Sequence, residues 1–225
     1  SKQNSRKFMM RKKPMLAYPV SSKPIDYTNK ISMQPKLDGV RCVIQYEGKS
    51  SVDPRVVAYS RTGKQWKNIE HICMQLKPFF KKYPDVILDG ELYNHDLRND
   101  FEQIISIVRR QKPDDIDMLN SREMVQFHCY DAIDELVKFN NRHLWLTKFV
   151  PESYCVKHVK TQAVPTESLS KVVHQQNLDA GYEGSILRLN TEYQCKRSHS
   201  LRKFKDFHDT EATLTGWVEG KGKRA

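Results

Sequence analysis

Several things are missing from this 225-residue chain, and each absence narrows what it can be. Its five cysteines (Cys42, Cys73, Cys129, Cys155, Cys195) never fall into a C-x-x-C pair, and its eight histidines show no H-x-x-x-H spacing. A cysteine-ligated zinc site, a helical histidine metal pair and a disulfide framework are therefore all disfavoured, and scattered thiols suit a reducing compartment. No apolar run approaches the roughly 20 residues needed to span a bilayer, which predicts a chain with no membrane segment. Pro14–Val20 is too short and interrupted for a signal-peptide core. There is no internal repeat and no low-complexity segment.

What is present is charge, aromatics and β-branched residues. Charged residues make up 29% of the chain and the formal net charge is +11, which points to a polyanionic partner, most simply nucleic acid. Residues 1–13 carry Lys2, Arg6, Lys7, Arg11, Lys12 and Lys13 and read as a mobile basic arm suited to phosphate backbones. The period of the apolar residues predicts strands at Val40–Tyr46, Arg55–Ser60, Val86–Tyr93, Val125–Ile133, Cys155–Val164, Tyr182–Leu189 and Leu201–Phe207. It predicts helices at Asn68–Lys82, Phe101–Arg110 and Thr166–Asp179, the last capped by Thr166 and ended by Gly181. Pro113–Asn120 reads as an acidic loop. Strands and helices mix without β-α-β alternation, so the expected class is α+β with mostly antiparallel sheets. Near Asp209 the composition shifts, and Ala212–Val218 followed by Gly220–Arg224 reads as the opening hairpin of a second domain.

The chemistry is concentrated in a few short strings. In Gln34-Pro35-Lys36-Leu37-Asp38-Gly39-Val40-Arg41 a lysine stands beside an acid and a glycine, just before a strand. An ordinary lysine amine is protonated and inert, but neighbouring cations disfavour a further positive charge and free the amine to act as a nucleophile. Gly39 allows a ligand or another backbone to come close. Asp89-Gly90-Glu91 puts two acids on one face of an apolar strand, where a ribose hydroxyl or a divalent ion would satisfy them. Glu183, before Gly184, offers an oxygen ligand suited to Mg²⁺. Lys203 and Lys205 alternate with Phe204 onto one face, where two ammonium groups call for an anion between them. Arg61, at a strand-to-turn junction, suits a bidentate phosphate contact, and Tyr130 offers a ring that could stack on a base or simply fill the core. Taken singly, a turn lysine, solvated strand-end acids and lysines on an edge strand explain each string equally well.

In order, these strings resemble the motifs of the covalent nucleotidyltransferases, and within that superfamily the ATP-dependent DNA ligases of the compact viral, phage and bacterial kind. The resemblance runs from about Met33 to the end, including Lys205-Asp206-Phe207-His208-Asp209-Thr210-Glu211-Ala212. It implies a nucleotidyltransferase (adenylation) domain over residues 14–208 and the start of an OB-fold over 209–225. It further implies that Lys36 attacks the α-phosphate of ATP and carries AMP, while Glu91 and Glu183 bind Mg²⁺ or Mn²⁺. Glu91 and Arg41 would meet the sugar, Tyr130 would stack on adenine with Ile186 opposite, and Gln34 would read the adenine edge. Lys203 and Lys205 would hold the α-phosphate and Arg61 the DNA 5′-phosphate. The implied partner is nicked duplex DNA, bound by a monomer in the cytoplasm of a bacterial or infected cell. The family's last basic motif, which orients pyrophosphate, has no counterpart in these 225 residues. The alternatives are an mRNA capping guanylyltransferase, an RNA ligase, or a non-catalytic basic nucleic-acid binder.

Overall fold

A computed structural model describes residues 9–48 and 52–205. In chain order the strands and helices open with β1 (Leu16–Pro19), β2 (Ser32–Lys36), β3 (Val40–Glu47), β4 (Arg55–Tyr59), β5 (Gln65–Trp66), α1 (Glu70–Lys82) and β6 (Ile87–Tyr93). They continue with α2 (Phe101–Val108), α3 (Asp115–Met124), β7 (Gln126–Ala132), α4 (Phe139–Phe149), β8 (Val156–His158) and β9 (Gln162–Ala163). Last come α5 (Glu167–Asp179), β10 (Gly184–Arg188) and β11 (Arg197–Phe204). The chain divides into two compact units, each built on one sheet. The expected α+β class with largely antiparallel pairing is what the structure shows, with β7 and β8 forming a parallel pair.

The first unit holds residues 38–159 and 190–198 with the N-terminal segment to Leu16. Its sheet runs β5-β4-β3-β6-β7-β8. Alternation along the strands sends Cys42, Ile44, Leu88, Leu92, Phe127 and Cys129 to one face, where they meet Ile72, Leu76, Phe80, Ile104, Val108 and Leu146 from the helices. Ile72, Leu76 and Phe80 have no exposed surface, and each such side chain stabilises the unit by about 2 kcal/mol. α1 forms because Ile69, Ile72, Leu76 and Phe80 recur at helical spacing, with Glu70 in its first turn and Lys81 and Lys82 in its last to match the helix dipole. At Gly90 any Cβ would lie 2.3 Å from the His128 carbonyl oxygen, so that step of β6 accepts no side chain.

Among the described residues the second unit holds 17–37, 160–189 and 199–205, with strand order β1-β11-β10-β2-β9. One face of its sheet buries Ile31, Met33 and Leu187 against Val164 and Val173. α5 begins where Thr166 Oγ1 accepts the Leu169 amide at 3.1 Å. It ends in a Schellman turn: Gly181 takes φ 89°, its amide reaches the Leu178 carbonyl, and the Tyr182 amide reaches that of Asn177.

Three expectations fail locally. Pro113–Asn120 is not a loop, because α3 starts inside it: Asp114 caps the Asp117 amide at 2.8 Å while Asp117 returns the bond. Its acids are a helix start, not a solvated run. Cys155–Val164 is not one strand either, since β8 pairs with β7 in one unit and β9 with β2 in the other. The arm residues Met9–Lys13 are tied down, because Gln45 accepts the Arg11 amide at 3.0 Å and donates to the Met9 carbonyl. The first eight residues and the proposed OB-fold start at 209–225 lie outside the described residues.

Candidate active site

Lys36 is the last residue of β2 and faces away from the apolar side of its sheet. Register carries this face across three strands: Lys36 lies opposite Gly184, and Gln34 opposite Ile186, which in turn lies opposite Lys203. Directly opposed residues on antiparallel strands share a face. Gln34, Lys36, Ile186 and Lys203 therefore stand together, while Met33, Leu187 and Phe204 point to the core side.

Glu183 enters from the α5 turn and sits between two cations. Its Oε2 accepts from Lys36 Nζ at 2.7 Å, and its Oε1 lies 3.6 Å from Lys205 Nζ. The sequence predicts cations as the neighbours that free the Lys36 amine, yet its bonded partner is an acid. Lys205 comes this close because Gly184 has no side chain: a Cβ there would fall 2.1 Å from the Phe204 carbonyl oxygen. Beneath it, Ser185 Oγ accepts from Asn177 Nδ2 at 2.8 Å and lies 2.9 Å from His174 Nδ1, pinning β10 to α5. His174 itself stacks on Phe204 at 3.7 Å.

The first unit contributes a second constellation. Arg41 forms a fork on Asp89, with Nε and Nη2 each 2.7 Å from a carboxylate oxygen, and Nη2 also reaches the Met15 carbonyl. The Tyr193 hydroxyl donates to Asp89 at 2.6 Å and accepts the Met15 amide. Burial alone would favour a neutral guanidinium, but the adjoining Asp89 holds Arg41 protonated well above its ordinary range. Burial, then Asp89, pushes the Tyr193 phenol up. Asp89 is thus fully buried and already bound by a cation and a phenol, so it is not offered to a metal or a ribose hydroxyl.

Glu91, two residues on, accepts from the Tyr130 hydroxyl at 3.0 Å, and the Arg41 guanidinium lies 5.4 Å from the centre of the Tyr130 ring. Alternation puts Tyr130 on this face, since His128 lies opposite Glu91 and Tyr130 is two residues on; a β-bulge then adds Asp131 to it. β7 pairs Asp131 with Asp89 but Cys129 with Gly90, so Tyr130 is an extra residue and shares a face with Asp131. Asp131 is locked in turn by Arg142, whose Nε and Nη2 meet it at 2.8 and 3.0 Å. Beside Glu91, burial and then Lys157 and His95 lower the His128 pKa to about 4. Gly39 does permit a close approach, and the partner is backbone, since a Cβ there would meet the Leu92 carbonyl oxygen at 2.3 Å. Arg61 is exposed in the turn between β4 and β5, where Gly63 takes φ 89° and its amide closes onto the Ser60 carbonyl.

No group of three or more His, Cys, Asp or Glu among the described residues forms a ready metal cage. The donors present are nevertheless of the right kind for Mg²⁺, which takes one or two carboxylates and completes its shell with water and substrate phosphates. Glu183 and Glu91 are such carboxylates. Long-range partners escape a reading of the sequence: Tyr193 lies 104 residues from Asp89, and Thr161 and Arg188 lie 127 and 154 residues from Gln34, whose side chain they hold. Arg142, 11 residues from Asp131, is marked by no local motif.

The family model of the ATP-dependent DNA ligase domain matches residues 14–205. The chain belongs to that family. A curated DNA ligase of African swine fever virus is 29% identical over 199 residues, covering 84% of this chain and 45% of the viral protein. The chain thus spans less than half the length of the curated relative. Among solved structures, "Pmar-Lig_PreS3" superposes with a TM-score of 0.68 at 22% identity, covering 86% of this chain and 46% of that one. A Chlorella virus DNA ligase-adenylate gives 0.61 at 20% identity, covering 86% and 67%. Membership in a ligase family disfavours the guanylyltransferase, RNA-ligase and passive-binder alternatives. Among the described residues no helix is long and apolar enough to cross a membrane.

Proposed function

We propose that this ligase domain serves an enzyme that seals nicks in duplex DNA, with Lys36 as the nucleophile. The observation that carries the reading is the face shared by Lys36, Gln34 and Lys203, with Glu183 holding both Lys36 and Lys205, in a chain of this family.

The Lys36 nitrogen attacks the α-phosphorus of ATP. A P–N bond forms, the bond to pyrophosphate breaks, and the amine gives up a proton. Lys203 and Lys205 offset the charge on the α-phosphate, a term that counts for most in phosphoryl transfer. Gln34 meets the adenine edge, Tyr130 stacks on the base with Ile186 as its apolar counterpart, and Glu91 receives the ribose. Arg41, whose Nε and Nη2 already hold Asp89, is left with Nη1 for the sugar. A 5′-phosphate oxygen of the DNA, positioned by Arg61, then displaces the lysine to give a DNA-adenylate and returns a proton to the amine. Attack by the adjacent 3′-hydroxyl expels AMP and closes the backbone.

Glu183 and Glu91 would hold Mg²⁺, which when bound neutralises phosphate charge. Glu183 cannot fully serve a cation and Lys36 at once, so its engagement elsewhere releases the amine from the bond seen here. The five free thiols suit a reducing cytoplasm, and the reading takes the active species as a monomer.

The test is incubation with α-labelled ATP or GTP, followed by intact mass. AMP attached to wild type and absent from Lys36→Ala is the expected result. Labelling by GTP alone, or undiminished labelling of Lys36→Ala, refutes the assignment.

A further inference from the structure

The sheet of the second unit contains a glutamine amide that is held from both sides. Gln34 is 2% exposed and Arg188 3%. Arg188 lies opposite Ser32 in the register and reaches diagonally along the face, its Nε donating to Gln34 Oε1 at 2.6 Å. On the other edge Gln34 Nε2 donates to Thr161 Oγ1 at 2.9 Å.

These two partners are not equivalent. Arginine has donors and no acceptor, so the amide atom that faces it must be the oxygen. Turning the amide over would set an NH₂ group against a guanidinium, donor against donor in a buried site. The threonine hydroxyl both donates and accepts, so by itself it would tolerate either orientation. Arg188 therefore sets the orientation and Thr161 completes it.

Orientation matters because a rotating primary amide reads two bases. In one state it matches the N6–H donor and N1 acceptor of adenine. Rotated by half a turn it matches the O6 acceptor and N1–H donor of guanine. A held amide matches one of them and opposes the other, which is discrimination by mismatch as much as by attraction.

We propose that Arg188 and Thr161 are the positioning residues that make this chain select adenine over guanine nucleotides, by fixing the Gln34 amide in a single orientation. This rests on the reading above in which Gln34 meets the base; Arg188 and Thr161 act through Gln34.

The test is equilibrium binding of ATP and of GTP to the full chain, as wild type, Arg188→Met, Arg188→Lys and Thr161→Val, with thermal melting of each. The ATP-to-GTP preference falls about tenfold or more in Arg188→Met, and only a few-fold in Thr161→Val. Arg188→Lys, which keeps a donor-only cation, restores most of the preference. A general packing defect would weaken both nucleotides alike and leave the ratio intact; that result overturns the proposal. If Arg188→Met does not fold, Thr161→Val decides, and an unchanged ratio there overturns it. A wild type that binds ATP with a ratio indifferent to all three substitutions refutes the amide lock alone. A wild type that binds neither nucleotide refutes the reading of Gln34, and the lock with it.

Discussion

Gly184→Ala separates the placement of the lysines from their mere presence. A Cβ at this position would lie 2.1 Å from the Phe204 carbonyl oxygen, with the Phe204 carbonyl carbon and the Lys205 Cα both at 3.1 Å. Ordinary contact needs about 3.4 Å or more, so the end of β11 must retreat by more than ~1 Å. The obstacle is backbone, which cannot rotate aside as a side chain can. The overpacking costs about 1–3 kcal/mol, and the unit stays folded. Lys203 and Lys205 ride on the displaced segment, and a misplacement of ~1 Å costs on the order of 100-fold in rate. The assay is the time course of AMP transfer from labelled ATP to Lys36, with melting followed in parallel. A melting midpoint lowered by a few degrees and labelling slowed about 100-fold is the expected pair. Labelling at the wild-type rate would show that the spacing of Glu183, Lys203 and Lys205 is not what the reaction depends on.

Two further perturbations test the first unit. Arg142→Met strands the Asp131 carboxylate in a fully buried site, and the expected loss is about 3–5 kcal/mol by urea denaturation; Asp131→Asn combined with Arg142→Met should recover part of it, and a loss under ~1 kcal/mol would show that the pair is dispensable. His128, with its folded pKa depressed to about 4, stays neutral in the fold while the unfolded chain takes up a proton near its ordinary value of 6.5. Stability contributed by this group is therefore present above pH ~6.5 and is lost as pH falls toward 4, by on the order of 3 kcal/mol. His128→Gln should flatten that part of the pH dependence, and an unaltered slope would contradict it.

Local chemistry was readable in the sequence and distant partnership was not. The alternation of Lys203, Phe204 and Lys205 predicts which side each takes, because strand period is a property of neighbours. The Thr166 cap and the Gly181 stop were equally visible, being local backbone chemistry. Asp89 and Glu91 look interchangeable on their strand, yet one is buried under Arg41 and Tyr193 and the other faces Tyr130. Only the distant Tyr193 and the strand pairing distinguish them. The bulge at Tyr130 leaves no trace in residue type, since it arises from how β7 pairs with β6. Asp114 and Asp117 misled because acids in a row suggest a solvated loop, whereas their reciprocal bonds start a helix. Gln34 reads as a base contact, but nothing nearby names Arg188 or Thr161 as its holders.

β2 also works as a ruler. Gln34 and Lys36 are two steps apart on an extended strand, so they project side by side about 6.7 Å from one another, and the intervening Pro35 turns inward. A compound that engages both must span that gap between its ring edge and its reactive phosphorus. Inserting one residue between them would turn one of the two into the core, and inserting two would stretch the gap beyond the reach of the same compound. Molecular length would thereby be screened before any bond is made, by the pitch of three residues of backbone.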